Sequence, residues 1–150
     1  MNHARIIPIL LLGNDGLVKT LRFREPRYIG DPINAVRIFN DKEVDELILL
    51  DIDATNDGRG PRFAGVEQVV SEAFMPVGYG GGVTSLDEME RLFKLGVEKV
   101  VLNSVLARTP EILAEAARAF GSQSIVASMD VKRDLFGRYH AYTHGGKRRL

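Results

Sequence analysis

The stretch Met75–Thr84, MPVGYGGGVT, holds the residue types best suited to gripping an anion. Pro76, Val77 and Tyr79 are strand-like, and the run stops at Gly80-Gly81-Gly82. Ser85 and Glu88 follow at the spacing of a capping box, which satisfies the first free N–H groups of a helix. A strand running through a glycine turn towards a helix leaves backbone N–H groups exposed at its carboxyl end. Glycine has no Cβ, so that backbone can approach a phosphate closely. The same triplet equally serves a tight strand–helix connection that binds nothing, and the motif alone does not separate the two.

Such a turn needs a strand behind it and a helix ahead, and the chain supplies that alternation. Arg5–Leu12 (RIIPILLL) is a continuous apolar run, the pattern of a strand buried on both faces. Gly13–Ile29, with Lys19 and Pro26, lacks clear periodicity and reads as a long mobile loop, a type that is usually functional. Asp31-Pro32 opens a helix whose buried face is expected at Ala35, Val36, Ile38 and Phe39. Glu46–Ile52 (ELILLDI) is the second strand. Val66, Val69, Val70 and Phe74 mark the next helix. The glycine strand comes third, and its helix, Leu86–Leu95, stops at Gly96. Lys99–Asn103 is the fourth strand, and Thr109-Pro110-Glu111 caps an alanine-rich helix closing at Gly121. Ser124–Asp130 is the fifth strand, and Arg138–Thr143 alternates like the second arm of a hairpin.

Strand–helix alternation with buried strands predicts a parallel α/β architecture. Polar or glycine residues sit where strands end: Asp51, Gly80–Gly82, Asn103 with Ser104, and Asp130. Parallel α/β folds bind ligands at those carboxyl ends, so four strands converging there is a stronger signal than any one. Arg5, Glu46 and Lys99 each open a strand, which places them together at the opposite, amino-terminal mouth.

Lysine plus arginine and aspartate plus glutamate number 20 each, so the formal charge is zero. That argues against nucleic acid or an anionic membrane as the main partner. There is no cysteine, hence no disulfide framework and no thiolate zinc site. His3, His140 and His144 show no ligand spacing, and neither metal nor cofactor is expected. The longest apolar run, Ile6–Leu12, is too short to span a bilayer and lacks a small-residue cleavage site. The expectation is a soluble, cytoplasmic protein.

The motifs together resemble HisF, the cyclase subunit of imidazole glycerol phosphate synthase, a (β/α)8 barrel. RII at Arg5–Ile7, DGLVK at Asp15–Lys19, DELILLDI at Asp45–Ile52 and GGG at Gly80–Gly82 carry the resemblance. KVVLNS at Lys99–Ser104, FGSQSIV at Phe120–Val126, MDVKR at Met129–Arg133 and YTHGGKRR at Tyr142–Arg149 continue it in register. The resemblance implies a glutaminase (HisH-like) partner at the amino-terminal face, whose ammonia passes up the barrel axis. In such enzymes that ammonia cleaves and cyclises a phosphorylated ribulosyl intermediate. A whole barrel of this type takes about 250 residues. The chain therefore reads as truncated: a single incomplete (β/α) barrel domain over residues 1–150, with the first five strands and about four helices.

The resemblance also distributes roles. Asp130 matches a catalytic carboxylate, with a bonded strand-end aspartate as the structural alternative. Gly81, Gly82, Asn103 and Ser104 match the first phosphate site. Lys19 lies where it could cover a substrate, or is simply a solvated loop lysine. Arg5, Glu46 and Lys99 match three residues of an ammonia gate, which is compatible with a salt-bridge ring closing the barrel floor. Asp51 either orders the strand-end network or is structural.

One position departs from the pattern: the family's first catalytic aspartate aligns with Leu11, and leucine cannot transfer a proton. That change resembles a divergent HisF-like branch associated with amidation of surface-polysaccharide sugars, where a separate amidotransferase builds an acetamidino group. The preferred reading is an ammonia-channelling subunit of such a system. The alternatives are a working cyclase in histidine biosynthesis and an inactive half-barrel.

Overall fold

The computed structural model describes residues 4–150. His3 lies outside them. Strands β1 (Ile9–Gly13), β4 (Leu47–Asp51), β5 (Val77–Gly80), β6 (Lys99–Leu102) and β7 (Ile125–Ala127) pair in that order, all parallel. Helices α1 (Pro32–Asp41), α2 (Phe63–Glu72), α3 (Leu86–Lys94) and α4 (Glu111–Phe120) connect them. Parallel neighbours joined in sequence by helical crossovers make this part of a (β/α)8 barrel, with five of its strands and four of its helices.

Period-two alternation builds the core. Leu47 and Leu49 of β4 and Val77 and Tyr79 of β5 are buried towards the helices. They meet Val66 and Val69 of α2 and Met89 and Leu92 of α3, residues three apart that share one helix face. Local chemistry sets the helix starts. Asp31 caps α1 by accepting the N–H groups of Ile33 and Asn34. Ser85 and Glu88 form the reciprocal capping box on α3. The strands are less evenly buried than their apolar runs imply, because Ile48 and Leu50 are only partly covered on the inner face.

Several expectations need correction. The region Gly13–Ile29 is a β-hairpin, not a mobile loop: β2 (Gly16–Leu21) and β3 (Arg24–Gly30) extend the sheet antiparallel beyond β1. Gly13 pairs with Gly16 across the two-residue connection Asn14-Asp15, a hairpin signal legible in the sequence GNDG. Burial of Leu17 and Val18 holds the arm down. The second turn, Arg22-Phe23, has φ of 51° and 63°, a turn shape usually supplied by glycine or asparagine.

Arg5 precedes β1 rather than opening it. Pro8 lacks the N–H that a regular ladder needs, although the carbonyls of Ile6 and Pro8 still accept from Asp45 and Ile48. Ile38, 57% exposed, turns away from the core, leaving Val36 flanked by Ile33 and Phe39. Phe74 lies past the end of α2 and is 89% exposed. Thr109 does not cap α4, whose first turn has no side-chain cap. Asp130 does not end the fifth parallel strand. That strand stops at Ala127, and Asp130 opens β8 (Asp130–Arg133), which pairs with β9 (Tyr139–Thr143) and then β10 (Arg148–Arg149) in a separate antiparallel sheet. The expected hairpin arm is therefore β9. Among the described residues, no helix is long and apolar enough to cross a membrane.

Candidate active site

Two cavities open where the parallel strands end. The first, about 260 Å³, is lined by Leu11 of β1, Leu50 of β4, Val101 of β6 and the carboxylate-bearing Asp130. Thr20 and Phe23 of the hairpin form part of its wall. Leu11 and Asp130 therefore border the same space, and position 11 contributes only alkyl surface to it. Asp130 accepts from the Asn103 side-chain amide (3.3 Å) and from the N–H of Gly146 (3.1 Å). Burial pushes its carboxyl above the ordinary aspartate value, against the lowering pull of those two donors and of Lys132. A carboxyl raised in this way is better able to carry a proton near neutral pH.

The second cavity, about 400 Å³, is polar and lies beside the first. Gly82, Asn103 and Ser104 line it, together with Arg59 and Arg108. Ser104 donates its hydroxyl to Asn103 Oδ1 (3.3 Å). Among the described residues, the backbone N–H groups of Gly82, Val83, Ser104 and Val105 have no intrachain acceptor. Unpaired backbone donors at two successive strand ends thus belong to residues lining one polar space, an arrangement suited to an oxyanion.

The glycines have a packing role as well. Gly81 has φ +119° and lies so close to β4 that a Cβ there would meet Asp51 Cβ at 2.7 Å and collide with its carbonyl oxygen. At Gly82 (φ +71°) a Cβ would lie 2.5 Å from Arg59 O. Gly81→Ala is expected to destabilise the fold by about 2–4 kcal/mol, combining backbone strain with overpacking. Urea unfolding checks this, and an unchanged midpoint would show that the β5 turn has room to move.

Asp51 ends β4 with its carboxylate fully buried and gripped by two guanidinium groups. Arg59 Nη1 lies 2.7 Å from Oδ2, and Arg62 Nε 2.9 Å from the same oxygen. Oδ1 also accepts the N–H groups of Asp53 and Ala54. Both arginines continue to Asn14 in the β1–β2 turn. Asp51 therefore ties the hairpin to the strand ends. The Asp51 hydrogen bond holds Arg59 above its ordinary range. Burial, assisted by the charge of Asp51, pushes the Tyr79 hydroxyl up to about 12, so it stays neutral where it accepts the N–H of Arg62. Sequence reasoning missed Arg59 and Arg62. The available signal was general: a carboxylate at the end of an apolar run needs a cation, and these are the next two arginines along the chain.

The remaining residues are divided between places. Lys19 lies on β2, exposed, and lines neither cavity. Arg5, Glu46 and Lys99 come together at the opposite end of the strands. Arg5 Nη2 and Lys99 Nζ contact Glu46 Oε2 at 2.8 and 2.5 Å. Glu46 is 1% exposed, and its Oε1 has no partner among the described residues.

Comparison with known proteins identifies the family. The sequence model of a family described as "Histidine biosynthesis protein" matches residues 5–150. A protein of Pseudomonas aeruginosa, provisionally named imidazole glycerol phosphate synthase subunit hisF2, is 48% identical over 148 residues, covering 99% of this chain and 59% of that protein. A Vibrio vulnificus protein with the provisional name imidazole glycerol phosphate synthase subunit hisF3 is 47% identical over 150 residues, 58% of its length. The imidazole glycerol phosphate synthase subunit HisF of Alkaliphilus metalliredigens is 37% identical over 147 residues, again 58% of its length. The chain thus spans less than two thirds of the length of these relatives. It belongs to the histidine biosynthesis protein family and is HisF-like.

Proposed function

We propose that this HisF-like chain is the ammonia-channelling subunit of a glutaminase-dependent amidation system, acting on a phosphorylated small molecule. The observation that carries this is the contrast between its two ends. Leu11 leaves Asp130 without an acidic partner at position 11, while Arg5, Glu46 and Lys99 still meet in one charged cluster at the amino-terminal mouth. Losing an active-site acid while keeping the mouth favours passage of ammonia over cyclisation. The glutaminase docks at the face carrying Arg5, Glu46 and Lys99, and a separate amidotransferase builds the acetamidino group of a surface-polysaccharide sugar. In this reading Gly81, Gly82, Asn103 and Ser104 hold the phosphate, and Asp130 is the remaining proton-transfer group. Transfer of amide nitrogen from labelled glutamine into a sugar amidine, in a reaction reconstituted with both partners, tests the proposal. Nitrogen incorporation that is unaffected by omitting this chain would overturn it.

The names of the relatives favour a second reading, a cyclase subunit of imidazole glycerol phosphate synthase. Ammonia-dependent turnover of the ribulosyl intermediate separates the two.

If the cluster gates ammonia, Lys99→Ala uncouples glutamine hydrolysis from amidation. A strand of about six residues rises about 3.3 Å per residue, so the two mouths lie roughly 20 Å apart. Sites that far apart usually behave independently, so phosphate affinity stays within about twofold. Both quantities are measured on one preparation, hydrolysis per amidation and phosphate affinity. Unchanged coupling would leave the cluster a purely structural ring.

A further inference from the structure

The polar cavity gathers cationic and titratable side chains from three separate segments: Arg59 after β4, Arg108 after the short 3-10 turn that follows β6, and His144 after β9. Glu88 also lines it, but one of its oxygens, Oε2, is engaged by the N–H and hydroxyl of Thr84 and the N–H of Ser85. We infer that His144 is a direct ligand of the anion in this cavity, donating from Nε2, and that it helps select phosphate monoesters. The inference rests on the phosphate reading of the cavity given above.

Three features present the ring. His144 has φ +56°, a conformation that few non-glycine residues adopt without an external hold. The hold is visible: the His144 N–H donates to Ser104 Oγ at 3.2 Å. The serine that borders the phosphate space thus also sets the backbone that carries the histidine. The third feature concerns the ring itself. Its Nδ1 lies 2.9 Å from the Thr143 hydroxyl, and Thr143 is buried.

A threonine hydroxyl can donate to Nδ1, which puts the proton of a neutral imidazole on Nε2. In the imidazolium form both nitrogens donate. In both of these states Nε2–H is a donor without an acceptor among the described residues; the tautomer with its proton on Nδ1 would turn Nε2 into an acceptor, which a bound anion disfavours. His144 lines the same cavity as Gly82 and Ser104, so its ring adds a side-chain donor to their backbone N–H groups. Arg59 spends its charge on Asp51 and Asp57, whereas Arg108 forms no ion pair among the described residues, and its permanent positive charge favours an anion over a neutral ligand.

The experiment titrates the chain with inorganic phosphate and follows the histidine side-chain nitrogens by NMR. His144→Gly removes the ring and suits the positive φ, so it does not threaten folding. Hydrogen bonds to charged groups are strong enough that its loss is expected to raise the phosphate dissociation constant about tenfold or more. Thr143→Val, which releases Nδ1, should weaken binding less. In the wild type, saturating phosphate should shift the Nε2 resonance of His144. The Nε2 of His140, already paired with Asp134 at 2.8 Å, should stay in place. Phosphate binding that is equal in wild type and His144→Gly, with no movement of the His144 resonance, would overturn the inference while leaving the phosphate reading intact. Failure of the wild type to bind phosphate at all would overturn both.

Discussion

Supplied with a phosphorylated ribulosyl substrate and ammonium salt, this chain is expected to cyclise it about 10²–10⁴-fold more slowly than a barrel carrying an acid at position 11. That range is what a positioned proton-transfer group typically contributes. Leu11 and Asp130 border one cavity, so the site has the place for a second acid but lacks the group. The two other aspartates lining that cavity do not simply replace it. Asp51 is neutralised by Arg59 and Arg62, and Asp53 is turned to the N–H of Asn14 at 3.1 Å. Turnover at a rate ordinary for an enzyme would refute this and put the cyclase reading ahead of the amidation one. Leu11→Asp, made in a barrel of the relatives' full length, is the reciprocal test: recovered cyclisation would trace the loss to this side chain.

Removing both guanidinium groups from Asp51, as Arg59→Ala with Arg62→Ala, should destabilise the chain by about 3–5 kcal/mol. The carboxylate has no solvent exposure, so the double variant strands a buried charge with only the N–H groups of Asp53 and Ala54 for partners. Either single variant leaves one cation in place and should lose about 1–3 kcal/mol. The singles should not add up to the double, because both arginines share one partner. Urea unfolding of the four proteins completes the cycle. Strict additivity, or a double variant as stable as wild type, would mean that solvent reaches Asp51 and that the clamp is ornamental. The same variants should loosen the hairpin, since both arginines also hold Asn14, and hydrogen exchange on β2 and β3 reports that separately.

Much of the barrel was legible because its signals are local. Leu47, Leu49, Met89 and Leu92 repeat at the periods of a strand and a helix, and the Asp31 and Ser85–Glu88 caps act within four residues. The hairpin was misread because its second turn, Arg22-Phe23, has none of the residues that usually announce positive φ. Packing of Leu17 and Val18 against the sheet overrides that preference. Ser124–Asp130 is continuously strand-like in sequence, which puts Asp130 at the end of a fifth strand that in the structure stops at Ala127. Only pairing partners reveal that β7 bonds to β6 whereas β8 bonds to β9.

By itself, the sequence determined the alternation of strands and helices, the helix caps, the clustering of polar residues at strand ends and the absence of an acid at position 11. All of these follow from side-chain identity and near-neighbour spacing. Tertiary structure alone decided which charges meet. Asp51 draws in Arg59 and Arg62, Glu46 gathers Arg5 and Lys99 across 41 and 53 residues of chain, and His144 reaches Ser104 across 40. Electrostatic and hydrogen-bond partners are chosen by distance in space, and distance in space is set by the closing sheet rather than by sequence separation.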